Sequence, residues 1–334
     1  MSRAVAVART NIALVKYWGK RDNALNLPAT GSLSLTLDGL ETRTEVIFGG
    51  GEAPEGSQAP LDRLILAGVE ETGVARTRVS RFLDLVRARA GRTERALVRS
   101  HNNFPTAAGL ASSASAFAAL ALAATRAAGL VVPPAELSVL ARRGSGSAAR
   151  SIFGGLVEMH RGERADGSDA VAEPLAEWDL RLVVAVCGEG RKATLSTDGM
   201  RHTAETSPYF RAWVETHEAD LTAARAAIRT RDLQALGEVM EYSCLKMHAS
   251  ALAARPGVIY WSGVTVEAFH LVRALRAGGT GVWFTNDAGP HAKALCAPAD
   301  APRVAEALAA LPGVTRVITC APGAGAQVIE EAAA

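Results

Sequence analysis

The chain has 334 residues, 49% hydrophobic and 21% charged, with 36 basic against 34 acidic side chains and a net charge of +2. Charges of both signs are interspersed, which excludes the basic stripe a nucleic-acid partner would need, and no stretch of about eighteen apolar residues offers a membrane span. Arg3, Arg9, Lys16 and Lys20 interrupt the opening residues where a signal peptide would be apolar, and Cys187, Cys244, Cys296 and Cys320 are too scattered for a disulfide framework or thiolate metal site. A reducing cytoplasm is the expected setting.

Alternation in Leu33 to Leu37 and Thr42 to Phe48 predicts early strands. The Gly/Pro/Glu stretch from Gly49 to Pro60 reads as a loop before a strand at Leu64 to Leu66. A helix follows over Val79 to Ala90, then a strand over Ala96 to Ser100. Ser112 to Ala128 is Ala/Leu-rich nearly all round, the pattern of a buried central helix. Strands are expected at Leu182 to Val186, Val282 to Thr285 and Val314 to Thr319. Helices are expected at Pro208 to Arg229, Leu233 to Lys246, Val264 to Ala277 and Ala301 to Leu311. Mixed without strict alternation, these elements predict an α+β arrangement, divided near Gly188 into residues 1–187 and 188–334.

Two sequence features carry chemistry. Only five of the basic residues are lysines, Lys16, Lys20, Lys192, Lys246 and Lys293, and two of them fall within Lys16-Tyr17-Trp18-Gly19-Lys20, which reads either as a strand end with solvated charges or as a place where a compact ammonium is needed and a guanidinium would not serve. The second is Pro105-Thr106-Ala107-Ala108-Gly109-Leu110-Ala111-Ser112-Ser113, small residues running into a helix start. Such a segment lets backbone approach a phosphate chain, and the helix adds free N–H groups and its positive dipole end. Ser112 and Ser113 would ordinarily be caps; with this run before them, one hydroxyl can instead reach phosphate or a magnesium ion. Neither common nucleotide-loop fingerprint is present.

Pro105 to Ser115 resembles the ATP-binding motif of the galactokinase, homoserine kinase, mevalonate kinase and phosphomevalonate kinase superfamily. Asn11 to Asp22, Asn102 to Ser115, Arg143 to Gly155 and Asp287 to His291, in that order, resemble the signatures of one member, diphosphomevalonate decarboxylase. The resemblance implies a two-lobed small-molecule kinase fold, with a ribosomal-protein-like ATP-binding lobe and a ferredoxin-like lobe carrying a catalytic aspartate. It also implies ATP with Mg2+, a phosphorylated mevalonate on the way to isoprenoids, and a homodimer.

That reaction turns a tertiary alcohol and a β-carboxylate into an alkene. It needs a phosphorylated leaving group, cations for several anions, and one enzyme carboxylate near the carbon that becomes transiently positive. Asp287, after the apolar strand and before Ala288-Gly289-Pro290, is expected at a strand-to-helix turn facing a cleft. By resemblance it is the catalytic aspartate, Lys16 its ion-pair partner and Asn11 a hydrogen-bonding support. Arg150, in a Gly/Ser-rich turn, suits bidentate capture of the substrate carboxylate, and Ser145, Gly146, Ser147, Ala148 and Ala149 would contact substrate beside it. For the terminal phosphates the resemblance implies Tyr17, Trp18, Gly19, Lys20, Arg78, Ser196 and Thr206, and for the metal Ser113. Leu195 and Ala149 depart from the family pattern, Leu195 removing a hydroxyl near the phosphates. The donors that remain predict the diphosphate as substrate; the alternatives are the 5-monophosphate, or phosphorylation without decarboxylation. His101, His202, His248, His270 and His291 have no metal-ligand spacing, and Trp261 and Trp283 read as core aromatics.

Overall fold

The computed structural model describes residues 2–50, 61–104, 112–188 and 194–332. Its first sheet is built on two long antiparallel strands, Ser2–Val15 and Ser32–Phe48. Ala96–Asn102 pairs antiparallel with the second of these, and Arg63–Leu66 runs parallel to Ala96–Asn102. Leu156–Met159 and Ala172–Ala176 branch from the other end of Ser32–Phe48. Ser2–Val15 is buried along both faces, because Ser112–Ala127 lies across it on one side and other elements cover the rest. Its sequence therefore lacks the alternation that would have marked it as a strand. Leu33 to Leu37 and Thr42 to Phe48 belong to one strand, which passes through Gly39 at φ +77°.

The second sheet has four antiparallel strands: Arg181–Val186, Val282–Asn286, Ala292–Cys296 and Arg316–Cys320. With helices between the first and second strands and between the third and fourth, the chain runs β-α-β-β-α-β. The strands lie in the spatial order fourth, first, third, second, which is the ferredoxin-like arrangement. Helices Gly263–Ala277 and Ala301–Ala309 cover one face. Phe210–Thr230 and Leu233–Leu252 cover the other, and there Leu182, Val184, Trp283 and Leu295 join Ile12, Leu14, Leu33 and Leu35 of the first sheet in a single apolar cluster. The two sheets are thus fastened by shared core, with Arg181–Val186 in the second and Gln327–Ala332 returning to pair with Ser2–Val15 in the first. Gly263–Ala277 begins at a reciprocal cap: the Ser262 hydroxyl accepts from Thr265 N–H, and Thr265 Oγ1 accepts from Ser262 N–H. No helix among the described residues is long and apolar enough to cross a membrane.

Candidate active site

A cleft opens where the C-terminal end of Ser2–Val15, the start of Ser112–Ala127, the 3-10 turn Gly146–Ile152 and the Asp287 loop converge. Its described lining carries four cations, Lys16, Lys20, Arg78 and Arg150, against one carboxylate, Asp287.

Asp287 lies in a hairpin rather than at the strand-to-helix turn expected of it. Val282–Asn286 turns directly back into Ala292–Cys296, closed by Gly289 N–H donating to Asp287 O at 2.7 Å. Pro290 has no N–H to give, and the buried Asn286 side chain staples the loop by donating to the carbonyls of Gly289 (3.0 Å) and His291 (2.7 Å). Lys16 Nζ reaches Asp287 Oδ1 at 2.7 Å, and Lys293 Nζ reaches Oδ2 at 3.1 Å. Burial alone would raise the Asp287 carboxyl; the two ammonium groups outweigh it and hold the group well below the usual carboxylate range. Asp287 is therefore ionised at any working pH.

Arg150 sits within the 3-10 turn and is 2% exposed. Its Nε donates to Asn11 Oδ1 at 3.1 Å and its Nη1 to Ser32 Oγ at 2.6 Å. It forms no ion pair among the described residues, and burial pushes its guanidinium down to about 10. Such a site favours an incoming anion. Asn11 Nδ2 donates to Ser147 O at 3.0 Å and Ser151 Oγ at 2.8 Å, which ties the first strand to this turn. Ser145 Oγ lies 3.4 Å from Ser113 Oγ and 3.5 Å from Ser147 Oγ, an open row of hydroxyls along one wall.

Tyr17 presents a buried hydroxyl with no hydrogen-bond partner among the described residues, and burial raises its phenol to about 12, so it is a neutral donor. The Trp18 carbonyl accepts from Trp213 Nε1 at 3.0 Å, which anchors this segment to Phe210–Thr230. Gly19 adopts φ +90°, and a Cβ there would come within 2.5 Å of Phe210. Lys20 is held by Asn26 Oδ1 at 2.7 Å, with no carboxylate in ion-pair range among the described residues. Burial, and then Arg78, lower its ammonium. Arg78 donates to Gly144 O at 3.2 Å and lies 5.1 Å over the Phe117 ring.

Of the expected residues, Asn11, Lys16, Tyr17, Trp18, Lys20, Arg78, Ser112, Ser113, Ser145, Gly146, Ser147, Arg150, Ser196 and Asp287 line this one cleft. Ala148 and Ala149 are fully buried behind the wall, and Gly19 shapes the turn without lining it. Thr206 is not part of it: its hydroxyl donates to His202 O at 2.8 Å and accepts from Arg255 N–H at 3.0 Å, securing a helix end. Pro105, Thr106, Ala107, Ala108, Gly109, Leu110 and Ala111 lie outside the described residues. Sequence reasoning missed Lys293, Asn26, Ser32, Met200 and Met247. Lys293 alone had a signal, being one of few lysines and set in an otherwise apolar strand.

A cation-rich cleft with one ionised carboxylate, beside a helix start bearing two serines, defines an enzyme that handles a small polyanion. The profile described as "Diphosphomevalonate decarboxylase-like N-terminal domain" matches residues 8–172, and "Mevalonate 5-diphosphate decarboxylase C-terminal domain" matches residues 182–329. The human diphosphomevalonate decarboxylase is 38% identical over 315 residues, 87% of this chain and 76% of that one. A solved mevalonate diphosphate decarboxylase from Enterococcus faecalis superimposes with a TM-score of 0.89 at 40% identity, over 98% of this chain and 99% of that one. A structure described as a complex with MVAPP, AMPPCP and magnesium gives 0.90 at 40% identity, with the same coverage of each chain. The chain belongs to the diphosphomevalonate decarboxylase family.

Proposed function

We infer that the chain catalyses ATP-dependent decarboxylation of (R)-5-diphosphomevalonate to isopentenyl diphosphate, releasing ADP, phosphate and carbon dioxide. The observation that carries the assignment of roles is Asp287, the single carboxylate among the described lining residues, kept ionised between two ammonium groups and opposite an arginine with no ion pair among the described residues.

In this reading Arg150 receives the substrate carboxylate, with Asn11 and Ser32 fixing its orientation so that part of the guanidinium fork faces the cleft. Tyr17, Lys20, Ser147, Ser196 and Arg78 receive the diphosphate. Asp287 orients the tertiary hydroxyl while it is phosphorylated. A carboxylate held so acidic is a poor base, which suits a loose phosphoryl transfer that asks little of one. When phosphate departs, the same charge faces the carbon that turns positive, and the carboxylate held by Arg150 leaves as carbon dioxide. A simple kinase would need no clamp on a carboxylate.

Ser112 and Ser113, opening Ser112–Ala127 and lining the cleft, fit the phosphates of ATP. The apolar hollow on the far side of Arg78, lined by Leu64, Val79, Val98, Phe117 and Leu120, suits its flat base. No group of three His, Cys, Asp or Glu among the described residues offers a metal cage. Magnesium would therefore be held largely by phosphate oxygens, with Ser113 as protein ligand, and would neutralise charge on the transferring group. The two-part organisation, an ATP-binding lobe through residue 187 and a lobe from residue 188 carrying Asp287, belongs to the same reading. So do a cytoplasmic location, which four free, buried cysteines suit, and a homodimer.

Asp287→Asn is the test. ATP and substrate should bind nearly as before while turnover, followed as ADP and carbon dioxide release, falls about a thousandfold or more. A variant keeping half the wild-type rate would remove Asp287 from the chemistry.

A further inference from the structure

Asp287 has one more cation than an ion pair requires. Lys16 approaches Oδ1 from the end of Ser2–Val15, in the first sheet, while Lys293 approaches Oδ2 from Ala292–Cys296, in the second. Each lysine is 1% exposed, and Asp287 is 24% exposed toward the cleft. Lys16 also donates to Ala13 O at 2.8 Å, whereas the only other oxygen accepting from Lys293 among the described residues is His291 O at 3.5 Å. Burying an ammonium is costly, and one would already neutralise the carboxylate. The second cation therefore has to be explained by something other than pairing charge. Its geometry supplies the explanation: with one ammonium against each oxygen, hydrogen-bonded at Oδ1 and ion-paired at Oδ2, the carboxylate is held from both walls and does not lean toward one.

We propose that Lys293 is a positioning residue for the decarboxylation, anchoring Asp287 Oδ2 so that the carboxylate plane is fixed across the two sheets while Lys16 holds Oδ1. The proposal rests on Asp287 being the catalytic carboxylate. The other groups around the pair do not compete for this role. Arg150 faces it from the 3-10 turn and is bonded to Asn11 and Ser32. From Leu233–Leu252, the Cys244 thiol is raised by burial and His248 is pushed down to about 3, so both are neutral at working pH. His291, in the hairpin itself, accepts from Cys187 N–H at 3.1 Å. Burial also lowers the Lys293 ammonium, against the pull of Asp287, so its charge would be lost at a less alkaline pH than an ordinary lysine's.

The test is Lys293→Met, similar in length and without charge, assayed for kcat and KM across pH beside wild type and Asp287→Asn. The expected result is a fall in kcat of about tenfold or more at neutral pH with KM for both substrates within about threefold, as for a misplaced rather than missing group. The alkaline fall in kcat that wild type shows as Lys293 loses its charge should also be absent, since the variant has no ammonium there to titrate. A fall of equal size at every pH, a rise in KM alone, or wild-type kinetics would each overturn the proposal. If Lys293→Met does not fold, Lys293→Ala, which likewise keeps neither donor nor charge, is read by the same criteria. An active Asp287→Asn would sink the parent reading, whereas an inactive Asp287→Asn beside a wild-type-like Lys293→Met would sink only this one.

Discussion

Acid should weaken this fold well before its carboxylates are protonated. His217 is 1% exposed, with its Nε2 at 2.9 Å from Gly31 O and the Lys246 ammonium nearby; His248 is 1% exposed against Asn286 O at 3.4 Å, with Lys16 and Lys293 close. Burial, and then those lysines, push both imidazoles down to about 3, from 6.5 in the unfolded chain. A base with a lowered folded pKa binds its proton more readily when unfolded. The contribution of each histidine is therefore fully present above about pH 6.5 and lost progressively as pH falls toward 3. At about 1.36 kcal/mol per pH unit, each costs about 2 kcal/mol at pH 5, and the pair about 4 kcal/mol. That is a large share of the roughly 5–15 kcal/mol that holds a typical domain. Urea midpoints at about pH 7.5 and pH 5 measure it directly, and His217→Gln should flatten the slope by about half. A midpoint unchanged or higher at the lower pH would refute the assignment of both imidazoles as neutral.

Arg150→Lys should lose about a hundredfold or more in kcat/KM, because one ammonium cannot bond Asn11 and Ser32 and still present a fork to a carboxylate. Near-normal kinetics would show that only charge matters there. Gly146→Ala would set a Cβ within 2.1 Å of the Tyr17 hydroxyl. With the Arg150 guanidinium 5.9 Å over the Tyr17 ring, the ring should be forced out of place, raising KM for the diphosphate about tenfold with little change in Tm; an unaltered KM would dissociate Tyr17 from substrate binding.

Elements whose burial is one-sided, or whose ends carry a local stop signal, were readable in the sequence. Gly263–Ala277 and Ser112–Ala127 were expected to within one residue, because a capping pair opens the first and Gly129 follows the second. Ser2–Val15 was not, since burial on both faces erased its period. The site was legible where its residues sit in short contiguous runs, as with Lys16 to Lys20 and Ser145 to Arg150. Asp287 was expected before a helix because Asp-Ala-Gly-Pro opens helices and closes hairpins equally well. What decides it is the side chain of Asn286, whose partners lie beyond the turn. Lys293 escaped because it meets Asp287 only through hairpin register, opposite Thr285. Thr206 stands outside any of the contiguous motifs, and its hydroxyl serves the helix that carries it.

The pairing of Arg3 to Val7 with Gln327 to Ala332 also sets a timetable. On the ribosome, Ser2–Val15 emerges about 320 residues ahead of this partner. At about 5–20 residues per second the wait between the two is roughly 20 to 60 s. Throughout that interval one rim of the first sheet offers unpaired N–H and C=O groups to any extended segment that meets it. A newly made molecule is thus most exposed to wrong strand pairing at the first sheet, and synthesis of Gln327–Ala332 removes that exposure.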